Sequence, residues 1–286
     1  MRIGRAKKGH GTTLSYYDWG ATPYYALQNE PRLSYCLYVP RDYDEDGTRR
    51  YPLIALIHGT ERGAALYRDA FADFAEEWQV IVLAPLFPCN LTGPGDTEND
   101  KFLFSGGIRF DLALLDMAAE VAGRYRLDGA KFLLHGFSGG GHFAHRFLFR
   151  HPERLRGVSI GAPGVVTLPD TDRDWPAGMR GMGAFLNEPS DPDPVALSQV
   201  PVQCVIGAAD TETWEIQVPD HVKGAAALNA IGTTRIDRLK ALARGLEAAS
   251  VQTRLDYVPG VGHDGRAVLG PVQEFFGTCL MEAAVE

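Results

Sequence analysis

Ser138, Asp210 and His263 are the residues of the 286-residue chain whose types, order and settings point to one chemistry. Ser138 stands in Gly136-Phe137-Ser138-Gly139-Gly140, behind the apolar run Lys131-Phe132-Leu133-Leu134-His135 and ahead of a helix-spaced stretch, His142 to Arg150. Strand, G-x-S-x-G and helix in that order predict a nucleophile elbow, a tight turn that lifts the hydroxyl clear of a sheet. The turn also sets the serine at a helix N-terminus, whose free N–H groups favour developing negative charge. A hydroxyl is a weak nucleophile until a base takes its proton, and the base needs a third group to fix its tautomer. Asp210 closes Val205-Ile206-Gly207-Ala208-Ala209-Asp210, just past an apolar strand. His263 lies in Gly260-Val261-Gly262-His263-Asp264-Gly265, the loop after the last predicted strand. Serine, acid and histidine in that order, each beyond a strand's carboxyl end, predict a base-activated serine nucleophile.

Attack on a carbonyl also requires donors for the oxyanion that forms. The backbone N–H of Gly139, directly after the serine, is one expected donor. The other is the N–H of Thr60, in the loop His58-Gly59-Thr60 that follows the apolar run Pro52 to Ile57. His58 itself is read as an orienting or packed residue. Glu212 and Glu215 are rival acids, and His221 and His142 rival bases; Asp210 and His263 are preferred because each follows a strand end directly. Asp264 is expected to cap its loop. His142 and His145 are spaced i, i+3 as metal ligands can be, but no third ligand is identifiable, so no metal is expected. Phe137, Trp214 and His142 are the candidate substrate contacts, with Trp175, Phe185, Leu186 and Phe104 behind them. Core packing is the competing reading for the aromatic and apolar ones, above all for Phe137. An aromatic-lined, mostly apolar pocket is the resulting expectation.

The elements that must position these groups alternate along the chain. Leu33 to Pro40 alternates like a half-buried strand, and the polar turn Asp42 to Arg50 makes an edge hairpin with the next strand plausible. Pro52 to Ile57 and Val80 to Ala84 are continuous apolar runs, as expected of strands covered on both faces. Further strands fit Val158 to Ile160, Val202 to Ile206 and Thr253 to Val258. Helices fit about Ala64 to Trp78, with Leu66, Phe71, Phe74 and Ala75 on one face, and about Asp111 to Tyr125, Arg235 to Ala249 and Gly270 to Ala284. Pro85 to Gly107 reads as loop. Residues 1–31 carry aromatics without a period and are read as an arm on the body. Strands separated by such helices imply right-handed crossovers, hence an α/β fold with a mostly parallel central sheet and helices on both faces. One domain over residues 1–286 is expected. Segments 162–200 and 211–234 break the alternation after strand ends, where ligands bind in open α/β sheets, and are candidate lids.

Bulk properties narrow the classes. An apolar content of 45% and a charged content of 22% suit an ordinary globular chain. The net charge of −8 leaves no basic footprint for nucleic acid or an anionic membrane. Short acidic runs, Asp42 to Asp46 and Asp170 to Asp174, read as solvated loops. Cys36, Cys89, Cys204 and Cys279 are scattered, which points to buried thiols and not to a disulfide framework or zinc site, with room for one disulfide. The basic Met1 to Lys8 stretch has no apolar run behind it, and no run reaches membrane-span length, so a cytoplasmic location is the default expectation.

On His58-Gly59, the run Gly136 to Gly141, Asp210 and His263, the chain resembles the α/β-hydrolases. Its pattern is similar to serine esterases of the feruloyl esterase and polyhydroxyalkanoate-depolymerase type, over about Leu33 to Leu280. That resemblance implies hydrolysis of a small-molecule carboxylic ester through a covalent acyl-serine, with no cofactor. Gly59-Thr60 departs from the glycine run of lipase oxyanion loops, and the stretches near Pro163 and Thr211 match no part of the pattern. Lactonase, thioesterase, peptidase or acyltransferase chemistry on the same three residues is the alternative, as is a ligand-binding protein of this fold with little turnover.

Overall fold

A computed structural model describes residues 14–283. The basic stretch at Met1 to Lys8 and the first part of the 1–31 arm lie outside the described residues. The rest of the arm forms a short 3₁₀ turn (Tyr16–Asp18) and two short strands, β1 (Gly20–Ala21) and β2 (Tyr25–Ala26). Then follow β3 (Ser34–Val39), β4 (Leu53–Ile57), α1 (Ala64–Ala70), α2 (Ala72–Trp78), β5 (Ile81–Leu86), β6 (Phe104–Ser105), β7 (Ile108–Arg109) and α3 (Phe110–Arg124). The second half contributes β8 (Phe132–Phe137), α4 (Gly139–Arg150), β9 (Leu155–Gly161), α5 (Met182–Phe185), β10 (Val202–Gly207), α6 (Ala225–Asn229), α7 (Arg235–Ala248), β11 (Thr253–Val258) and α8 (Leu269–Ala283).

Nine strands form one sheet in the order β1-β3-β5-β4-β8-β9-β10-β11, with β2 also on β3. From β5 to β11 every pairing is parallel; β3 joins β5 antiparallel. β4, β8 and β10 are buried at every residue because both faces are covered by helices and loops. β4 is accordingly apolar throughout, and the polar residues of the other two are hydrogen-bonded inside, His135 of β8 to Ser159 and Gln203 of β10 to Ser159 and Asp256. Phe132, Phe143 and Phe147 lie in the core between β8 and α4. Each fully buried phenylalanine of this kind contributes about 1.5–3 kcal/mol.

Three expectations need correction. The strand Ser34–Val39 makes no hairpin with Leu53–Ile57, because β5 stands between them and β1 and β2 cover the other side of β3. The helix expected over Ala64 to Trp78 breaks at Phe71, whose φ of −100° and ψ of 6° end one helix and cap the next. Leu66 therefore does not share a buried face with Phe71 and Phe74; it is 55% exposed. Finally, the stretch read as loop from Pro85 to Gly107 begins inside β5 and ends in the β6–β7 hairpin. Among the described residues no helix is long and apolar enough to cross a membrane.

Candidate active site

Ser138 is the single residue between β8 and α4, with φ 55° and ψ −115°. A non-glycine residue at positive φ outside the left-handed helical well is strained, and the surroundings must hold it there. Its N–H donates to the Gly161 carbonyl at 2.9 Å, and its own carbonyl accepts from His142 N–H at 3.1 Å. The flanking glycines are required by contact. A Cβ on Gly136 would stand 2.1 Å from the Gly140 carbonyl oxygen, and one on Gly140 would stand 2.3 Å from the Ile57 carbonyl oxygen. The elbow is thus pressed against both its own helix and the end of β4.

The structure brings Asp210 and His263 to this serine. His263 Nε2 lies 3.0 Å from Ser138 Oγ, and His263 Nδ1 lies 2.6 Å from Asp210 Oδ2. This arrangement makes Nδ1 the ring donor and leaves Nε2 free to accept the serine proton. Asp210 is fully buried, whereas the His263 side chain keeps 23% of its surface open to the cleft. Phe137 packs its ring on His263, centroids 4.9 Å apart, and is itself buried. It supports the imidazole from the core side.

Gly59 and Thr60 cross in front of the elbow. The Thr60 amide nitrogen lies 3.1 Å, and its hydroxyl 3.2 Å, from the point where a Gly139 side chain would begin. Both expected oxyanion donors therefore belong to residues that meet beside Ser138. His58 is buried, accepts from Phe87 N–H at 3.0 Å through Nε2 and places Nδ1 2.9 Å from the Gly59 carbonyl. Burial, then the Arg62 cation, pushes its pKa down to about 3, so it orients the loop as a neutral ring.

Ser138, His263, Thr60 and Gly139 open on a cleft of about 1050 Å³. Trp214 lines it while 71% exposed. His142 also lines it, but its Nε2 accepts from Val165 N–H at 3.0 Å, so the ring anchors a wall. Burial, with the nearby Lys101 and Arg146 cations, holds its pKa well below the ordinary value. Trp175, Phe185 and Phe104 sit elsewhere: Trp175 packs on Phe102 and Phe185, and Phe104 on Phe185. Leu186 is core. Asp264 accepts from Arg266 and Ala267 N–H groups, which lower its pKa and make it a loop cap. Of the rival acids, Glu212 is exposed and Glu215 bonds Arg235; the rival base His221 is exposed. No cluster of metal-ligating side chains occurs among the described residues, His142 and His145 included. Cys36, Cys204 and Cys279 are buried free thiols, and Cys89 is a partly buried one.

Several cleft residues come from segments whose sequence shows no local pattern pointing to the cleft. Glu98, Lys101 and Phe102 enter from the loop after β5, with Lys101 Nζ 2.5 Å from Glu98 Oε1 and its Cε close over Gly139. Tyr67 and Leu66 come from α1. Burial raises the Tyr67 hydroxyl to about 12. Arg235, also on the cleft, bonds Asp210 directly. Its signal was legible: Thr234 and Asp237 form a capping pair that fixes a helix start at Arg235.

The fold agrees with known structures. A poly(aspartic acid) hydrolase from Sphingomonas sp. KT-1 superposes with a TM-score of 0.70 at 22% identity, over 89% of this chain and 97% of that one. A poly(3-hydroxybutyrate) depolymerase from Bordetella parapertussis gives 0.69 at 23% identity, over 85% of this chain and 83% of its own. An S-formylglutathione hydrolase from Agrobacterium tumefaciens gives 0.58 at 14% identity, over 98% and 94%. No protein-family model matches the sequence, and no curated protein matches it. The chain has the α/β-hydrolase fold, the class expected from the sequence.

Proposed function

We propose that the protein is a serine hydrolase that cleaves carboxylic esters through an acyl-serine intermediate. The observation that carries this reading is the hydrogen-bonded line from Asp210 through His263 to Ser138, at 2.6 and 3.0 Å, opening on the cleft. His263 Nε2 takes the Ser138 proton as Oγ attacks the ester carbonyl. The tetrahedral oxyanion accepts from the N–H groups of Thr60 and Gly139, at the start of α4 where the helix field favours negative charge. The alkoxide leaves with the proton from His263, and water, deprotonated by the same imidazole, then releases the acid from Ser138. Asp210 keeps Nδ1 protonated throughout and stabilises the imidazolium. The known proteins of this fold, named as esterases, depolymerases and hydrolases, support a hydrolytic reading.

One α/β-hydrolase domain carries this chemistry, and the 162–200 and 211–234 segments supply Gly164, Val165, Trp214 and Ile216 as cleft walls. The test is labelling with a fluorophosphonate and a panel of p-nitrophenyl esters of rising acyl length, set beside thioester, lactone and amide substrates. Labelling at Ser138 with ester turnover is expected. A protein that is neither labelled nor active on any ester is not this enzyme, and faster amide or thioester cleavage reassigns the acyl group.

A further inference from the structure

Asp210 has two carboxylate oxygens, and the structure gives each a different partner. Oδ2 faces His263 Nδ1 at 2.6 Å, while Oδ1 accepts from Arg235 Nη1 at 3.1 Å. The other end of the guanidinium, Nη2, donates to Glu215 Oε2 at 2.6 Å. Arg235 is 2% exposed and Asp210 1%, so neither can exchange its partner for water.

Arg235 occupies the first helical position of α7, where the helix field disfavours a cation. Its backbone is set there by the capping pair: Thr234 Oγ1 accepts from Asp237 N–H at 3.0 Å, and Asp237 Oδ2 accepts from Thr234 N–H at 3.1 Å. The two carboxylates offset that unfavourable place. One turn on, Arg238 donates to the carbonyls of Gly164 and Ile216, so this face of α7 also holds the two cleft walls.

We propose that Arg235 is a positioning residue of the active site. It occupies Oδ1 of Asp210, so that Oδ2 alone is aimed at His263, and through Glu215 it ties the 211–234 wall to the catalytic acid. The proposal rests on the reading of Ser138, Asp210 and His263 as the reacting groups. Without the guanidinium, a buried carboxylate oxygen loses its partner and the carboxylate is free to turn away from the imidazole.

The test uses Arg235→Met and Arg235→Lys in the full chain, with kcat and KM on a p-nitrophenyl ester and proton NMR of the His263 Nδ1–H. In R235M, kcat falls about 10- to 100-fold while KM stays within about threefold, the signature of lost alignment. R235K keeps the charge but not the fork, so its kcat falls between R235M and wild type. The low-field Nδ1 resonance moves upfield in R235M and stays closer to its wild-type position in R235K. An R235M protein with wild-type kcat and resonance overturns the proposal, as does one in which R235K is no better than R235M. Where R235M does not fold, R235K decides: lowered kcat at unchanged KM and melting temperature sustains the role, and unchanged kcat overturns it. Should the wild type hydrolyse no ester, the esterase reading fails, and the resonance alone judges Arg235: shifted in R235M sustains the role, identical overturns it.

Discussion

At the scale of residues, the site concentrates its function on one hydroxyl and its geometry on two glycines. Ser138→Ala removes the proposed nucleophile and nothing from the core, so it should abolish fluorophosphonate labelling and lower kcat by about 10⁶-fold at an unchanged melting temperature. Gly136→Ala tests the opposite property. Its methyl group would stand 2.1 Å from the Gly140 carbonyl oxygen, a backbone atom that cannot swing aside. A loss of about 1–3 kcal/mol is expected, measured by denaturant titration, together with loss of labelling because the turn must open. Trp214 is the converse case: 71% exposed on the cleft rim, it holds little of the core. Trp214→Ala should leave stability within about 0.5 kcal/mol and raise KM for the longer esters, read from the p-nitrophenyl series.

At the scale of elements, what the sequence disclosed is what depends on local pattern. Uninterrupted apolar runs announced β4 and β5; the glycine-flanked Ser138 announced the elbow; and Thr253 to Val258 was legible to the residue. Asp210 and His263 were legible because each follows a strand end. What stayed hidden depends on which element lies beside which. Nothing between Ser34 and Ile57 says that β5 will insert between β3 and β4, because pairing is settled by the whole sheet. Leu66 has helix spacing that argues for the core, yet the break at Phe71 places it on the cleft rim. The Pro- and Gly-rich stretch after β5 looks featureless, although Lys101 from it reaches over Gly139. Arg235 carries a local sign, since a cation at the first position of a capped helix needs an anion to hold it.

At the scale of the molecule, the buried histidines set a pH limit. Burial, joined by neighbouring cations for all but His135, lowers His58 to about 3, His135 to about 4, and His142 and His145 well below the ordinary range. Burial raises Asp100, to about 6. As pH falls below about 7 the unfolded chain protonates imidazoles that burial keeps neutral in the folded one, while folded Asp100 holds a proton that the unfolded chain lacks. The unfolded chain's excess of bound protons makes stability fall as pH falls, and the carboxylates of Asp18, Asp111 and Asp237, held below their ordinary range in the fold, act in the same direction. The melting temperature should therefore be flat above about pH 7.5 and fall as pH drops through about 6.5 and below. Thermal scans at fixed ionic strength check it; a flat profile down to pH 4 would contradict it.

The sheet's last strand has a further consequence. Among the described residues β11 pairs with β10 alone, and none of its six residues is buried, whereas every residue of β8 is. Ser138 is thus mounted on the innermost part of the molecule and His263, its proposed base, on the rim. Local opening of an edge strand costs less than global unfolding, so amide protons of Thr253–Val258 should exchange with deuterium well before those of Phe132–Phe137. On the proposed roles, mild denaturant would take the chain through a state that is still helical by circular dichroism yet inert, with Ser138 in place and His263 adrift.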